Sequence, residues 1–170
     1  EFLPISSSGH IEIFKVFLGS ELSNSESLLF TIILHFATAL STIFYFRIEI
    51  YEIFNGLINK NPNKIKFSVH ILISMIPAVI IGFFYEEKID DLFNGNLLLV
   101  ALMLIITGIF LLITDFSNSK QTELNKKNSF FIGLAQAIAI LPGISRSGAT
   151  IACAVVLGIK KEKAAQFSFL

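Results

Sequence analysis

The chain has 170 residues, 54% of them hydrophobic and 15% charged, with 18 phenylalanines and a mean hydropathy of +0.73. That balance lies outside the range of soluble domains, so the expected solvent is lipid. Thirteen Lys and Arg offset thirteen Asp and Glu, which argues against nucleic acid as a partner, and the lone Cys153 excludes an internal disulfide and reads as a small packing residue.

In chain order, the first feature is Phe2-Leu3-Pro4-Ile5-Ser6-Ser7-Ser8-Gly9-His10, a Ser- and Gly-rich break followed by a short amphipathic stretch, Ile11 to Leu18. Three apolar runs follow, Leu28 to Phe46, Phe67 to Tyr85 and Leu97 to Thr114. Each is near the ~20 residues that a bilayer-crossing helix needs. The last apolar region, Phe130 to Leu141 and Ile151 to Ile159, is cut by Pro142-Gly143-Ile144-Ser145-Arg146-Ser147-Gly148-Ala149-Thr150. Broken backbone at membrane depth is tolerated only where protein or a polar cavity satisfies it, so both interrupted regions read as re-entrant hairpins. The expected fold is an all-α polytopic membrane protein in one integral membrane domain. Residues 1–27 form its first re-entrant hairpin, 28–46, 67–85 and 97–114 its transmembrane helices, and 130–163 its second hairpin. With no basic n-region at Glu1 and a first long apolar run starting only near Leu28, the sequence does not resemble a cleavable leader. The opening at Glu1 and the end within an apolar pattern suggest a fragment lacking both termini.

Charge placement orients the spans. Arg47, Lys60, Lys64 and Lys66 fall in one connection and Lys120, Lys126 and Lys127 in another, whereas Glu86 to Asn96 carries only Lys88 among four acids. The positive-inside rule puts the first two connections in the cytoplasm, along with Lys160, Lys161 and Lys163 if the second hairpin returns there. The first hairpin then enters from the opposite face. Leu3-Pro4 with Ser6-Ser7-Ser8-Gly9 matches Leu141-Pro142 with Ser145-Arg146-Ser147-Gly148, one glycine being added. Two copies entering from opposite faces describe an inverted-topology repeat, whose broken helices meet near the bilayer midplane.

Each motif combines a helix breaker, hydroxyls and a resumed helix, so free N–H groups and a positive dipole end face the break. That is an anion site. Arg146 strengthens it: arginine within a span costs about 2.5–3.5 kcal/mol on insertion scales and needs a partner or ligand. Its planar fork suits phosphate oxygens, the alternative being a structural arginine neutralised by Glu1 or by carbonyls. Glu1, several hydroxyls and His10, three residues beyond Ser7, supply candidate base, nucleophile and proton carrier, although Ser-rich turns also simply cap helices. His35, about 10 Å from the outer end of its span, stands near enough to border the cavity. His70 reads more simply as an interfacial residue.

The two motifs resemble the signatures of the undecaprenyl-diphosphatase family, membrane phosphatases associated with bacitracin resistance. Ile76-Pro77-Ala78 with Gly82, and Ala165-Gln166-Phe167-Ser168-Phe169-Leu170, extend the match along the chain. The resemblance implies removal of one phosphate from undecaprenyl diphosphate, which recycles the lipid carrier for peptidoglycan and other wall polymers. It assigns Glu1, Ser7 and His10 as catalytic, Glu1 also to a divalent cation, Mg or Ca, and Ser145, Arg146 and Thr150, with Ser147 alongside, to phosphate binding. Glu1 corresponds to the second acid of a paired-glutamate motif, whose first acid would precede this sequence. The expected partners are a polyprenyl diphosphate lipid and the bilayer of a bacterial inner membrane, with the site opening outward and self-association into a homo-oligomer left open. The rival reading is a lipid-phosphate transporter or flippase, which explains the repeat but not the gathered Ser, His, Glu and Arg.

Overall fold

The computed structural model describes residues 3–17, 24–85, 97–117 and 122–170, and all eight regular elements among them are helices. They are α1 Ser7–Phe17, α2 Asn24–Tyr45, α3 Arg47–Ile58, α4 Pro62–Phe84, α5 Leu97–Phe116, α6 Lys126–Ile138, α7 Arg146–Val156 and α8 Lys161–Phe169. Helix α4, with 23 residues, and α5, with 20, are long and apolar enough to cross a membrane. A third span is available if α2 and α3 count as one broken unit, for they meet at 71° across Phe46. The segment read from sequence as a connection after Phe46 is thus largely helical. At the bend, Arg47 donates to the Phe44 carbonyl at 3.0 Å and lies 4.8 Å from that ring's centre.

The long helices are polar inside and apolar outside, as lipid demands. Helix α4 buries His70, Ser74 and Pro77, and α5 buries Val100, Thr107 and Thr114, whereas Leu72, Val79, Leu98, Ile105 and Leu112 are exposed. The hydroxyls are tolerated because each finds a carbonyl a turn back in its own helix: Ser74 on Ile71, Thr107 on Met103, Thr114 on Leu111. Small residues replace burial of bulky ones as the device that brings helices together. The most extensive interface joins α4 to α6. There a β-carbon on Gly133 would collide with the Ser74 carbonyl and meet Pro77 at 3.0 Å.

The tightest core, formed by Ile132, Ala154, Val155, Ile159, Ala164 and Phe167, sits where α6, α7 and α8 meet the start of α4. Phe67 of α4 meets Phe167 edge-on, with ring centres 6.0 Å apart. Helix α5 packs against both α7 and α1, and so lies between the two Ser- and Gly-rich breaks. This placement decides the geometry of the site.

Candidate active site

In both breaks the serine of the matched Ser-x-Ser-Gly pattern ends the loop and caps the helix that follows. Ser145 precedes α7, and its Oγ accepts the Gly148 N–H at 3.1 Å and lies 3.3 Å from Ser147 Oγ. Ser6 precedes α1, and its Oγ accepts the Gly9 N–H at 3.3 Å and lies 3.4 Å from Ser8 Oγ. Such caps satisfy one of the orphan N–H groups of a first turn and leave others available to an anion. The backbones differ: Ser145 is extended at φ −74°, while Ser6 sits in the left-handed region at φ 63°.

The two first turns interlock. A β-carbon added to Gly9 would stand 3.0 Å from Gly143 Cα of the second break, and one added to Gly148 would stand 3.0 Å from the Pro4 carbonyl oxygen of the first. Glycine at each position lets one break lie directly on the other's backbone. The contact is reciprocal, each motif's glycine against the loop before the other motif's cap.

The first helical residue is Ser7 in one motif and Arg146 in the other. The Arg146 side chain is exposed and, among the described residues, meets no carboxylate. His10, one turn into α1, bonds the Ser6 carbonyl through Nδ1 at 2.8 Å. A carbonyl only accepts, so the bond is made by an Nδ1–H, and in the neutral ring this is the tautomer that leaves the lone pair on Nε2. Thr150 is buried, with its hydroxyl 2.6 Å from Ser168 Oγ and within reach of the Arg146 and Ser147 carbonyls at 2.9 and 3.2 Å. It therefore also ties α7 to α8.

Of the residues singled out from sequence, Ser7, His10, Ser145, Arg146, Ser147 and Thr150 all belong to these interlocked helix starts. Glu1 lies outside the described residues. Among the described residues no three His, Cys, Asp or Glu side chains converge. They do not by themselves make a cage for Mg or Ca. His35 is exposed on α2, whose main packing is against α3. His70 is buried within the protein, near the start of α4.

Sequence reasoning passed over Ser6 as a cap and missed Thr107 altogether. Buried in the middle of α5, Thr107 Oγ1 accepts the Ser145 N–H at 3.0 Å and lies 3.2 Å from the Gly143 carbonyl. It pins the backbone on either side of Ile144, just after the left-handed Gly143, at φ 95°, where an added β-carbon would meet Met103 and the Val100 carbonyl.

A bundle with bilayer-length helices and two capped helix starts interlocked through glycines defines a polytopic all-α membrane protein. The chain belongs to the bacitracin resistance protein BacA family, whose sequence pattern matches residues 1–170. It is 53% identical over 171 residues to an undecaprenyl-diphosphatase of Christiangramia forsetii and 45% identical over 172 residues to one of Parabacteroides distasonis. A third, from Methanococcus vannielii, is 39% identical over 173 residues. In each case all of this chain is covered, but it spans only 65%, 64% and 68% of those relatives' lengths.

Proposed function

We propose that the full-length protein is a membrane hydrolase that converts undecaprenyl diphosphate to undecaprenyl phosphate and inorganic phosphate, recycling the carrier for wall polymers and conferring bacitracin resistance. The observation that carries this reading is the reciprocal packing of the two helix starts. It brings Ser7 and His10 of one motif beside the Arg146 motif of the other. The undecaprenyl-diphosphatase names of the relatives supply the substrate.

In this mechanism the terminal phosphate lies against the N–H groups of the two first turns and the fork of Arg146, which oppose charge developing on its oxygens. Ser145 and Ser147 line the second turn, and Thr150 holds it to α8. Ser7 Oγ attacks phosphorus while His10 Nε2 takes its proton, and the bond to undecaprenyl phosphate breaks. His10 passes that proton to the departing undecaprenyl phosphate. As a neutral base it then takes one from the water that attacks the phosphoserine, and returns it to Ser7 Oγ as inorganic phosphate leaves. His10 Nε2 is itself able to attack, and an acid-labile phosphohistidine rather than an acid-stable phosphoserine would mark that route. Glu1 and a Mg or Ca ion beside the diphosphate belong to the proposal, but no step above passes through the ion.

The lysine-rich connections support a cytoplasmic position for the α3–α4 and α5–α6 ends, so the polar mouth opens to the outer face. Cysteine reporters beside Ser7, in a background lacking Cys153, should react with impermeant reagents added outside intact cells. The activity itself is tested by timed phosphate release from undecaprenyl diphosphate by the purified full-length protein. Ser7→Ala, His10→Ala and the double variant should lose similar amounts of kcat, because groups acting as one unit lose rate non-additively. Losses that multiply, or a single variant that keeps most of its rate, would leave Ser7 as an ordinary first residue of α1 behind the Ser6 cap. The lipid-phosphate transporter reading predicts no phosphate release at all.

A further inference from the structure

Away from the two motifs, a cleft of about 580 Å³ opens between the starts of α4 and α6. Lys60, Lys66 and Lys126 line it, with Ile65 and Val69 as an apolar wall and His70 behind them, and no described lining residue is acidic. These lysines have no ion-pair partner among the described residues. Lys64 and Lys161, by contrast, are held by Glu52 at 2.7 Å and Asp115 at 3.2 Å. Three uncompensated cations around one cleft repel each other unless an anion joins them.

His70 provides an independent sign. Only 3% of its surface is exposed, and it makes no hydrogen bond among the described residues. Yet no side-chain nitrogen or oxygen in the described protein is both sealed from solvent and without a partner. Its ring nitrogens therefore reach the open space of the cleft it lines. It stands one turn beyond Lys66 on the same face of α4. Asn125, also in the lining, caps α6 by accepting the Asn128 N–H at 2.9 Å, so the positive end of that helix faces the same space.

We propose that this cleft is a second anion site, separate from the two motifs, that binds the phosphate of an anionic phospholipid headgroup. Free phosphate would need only the cations and the ring. The apolar wall goes further: from Ile65 and Val69 it continues along α4 through exposed Leu72, Ile76 and Val79, a track for acyl chains running into the bilayer. Basic pockets between transmembrane helices at the lysine-rich face are where such headgroups bind.

The test uses the full-length protein in detergent, offered equimolar phosphatidylglycerol and phosphatidylcholine, with retained lipid counted by native mass spectrometry. Wild type should retain phosphatidylglycerol preferentially. Lys66→Gln and Lys126→Gln should each lower that preference about fivefold, His70→Phe should lower it with the lysines intact, and Lys64→Gln, whose native ammonium is already paired with Glu52, should leave it unchanged. Millimolar inorganic phosphate should not displace the lipid. Displacement by phosphate would overturn the lipid assignment in favour of a free anion. Equal retention of the two lipids, or a preference that survives the Lys66→Gln/Lys126→Gln double variant, would overturn the site itself.

Discussion

The two helix starts, Ser6 to His10 and Ser145 to Thr150, have the same frame and different contents. Each has a capping serine, a second serine two residues on and a glycine that accepts the other motif's backbone. The positions between diverge: Ser7 and His10 in the first match Arg146 and Ala149 in the second. Their supports diverge too. Pro142, Gly143, Ile144 and Ser145 are buried and Thr107 clamps that loop, whereas Leu3 and Ile5 before α1 are exposed and Ser6 adopts a left-handed backbone. In the mechanism proposed above this becomes a division of labour: both frames would offer N–H groups to an anion, the firmly held copy would bring the cation, and the lightly held copy would bring nucleophile and base.

That division predicts unequal sensitivity. The largest effect is expected for Arg146→Lys, which keeps the charge but loses the planar fork, and kcat/KM for phosphate release should fall about 10²-fold or more. Near-normal kinetics would make the arginine structural. Next come the interlocking glycines. Gly9→Ala and Gly148→Ala each push a methyl against the opposing backbone at 3.0 Å, overpacking that costs about 1–3 kcal/mol. Both should reduce kcat/KM by about tenfold and to similar degrees, while Gly82→Ala, which meets nothing within 4 Å, should not. A loss from only one of the pair would break the reciprocity.

A smaller effect is expected at Thr107, through which α5 positions only the second copy. Thr107→Val keeps the shape but strands the buried Ser145 N–H, a loss of about 1–3 kcal/mol. Thr107→Ser restores the hydroxyl. The valine variant should raise KM more than it lowers kcat, since it loosens the binding copy and spares Ser7 and His10. The serine variant should recover most of the wild-type value, and equal kinetics for the two would remove Thr107 from the site.

What could be read from the sequence was local. Arg146 among serines and glycines, the bilayer-length runs in α4 and α5, and the match between the motifs all lie within short windows where helix breakers, charge cost and hydropathy speak directly. Features set by packing between distant segments could not be read. Thr107 looks like any threonine bonding back to its own helix, and its bond to Met103 is that ordinary one. Its second role exists only because α5 passes beside Gly143. His70 lies near a helix start and reads as interfacial. Its burial is a tertiary feature, in a helix whose Ser74 backbone lies directly against Gly133 of α6. Ser6 was legible in principle: aligning the repeats pairs it with Ser145, and that pairing marks it as a cap and leaves Ser7 as the residue matched to Arg146.

The central claim, that both copies act on one phosphoryl group, is tested most directly by a double-mutant cycle across the motifs. Initial phosphate release by the full-length enzyme would be measured for wild type, Ser7→Ala, Arg146→Lys and the double variant, each checked for folding. If Ser7 and Arg146 engage the same phosphorus, the double variant should be little slower than the slower single, because the second change removes help from a step already lost. A double variant whose loss equals the product of the two single losses would mean that the motifs act independently and would contradict the account.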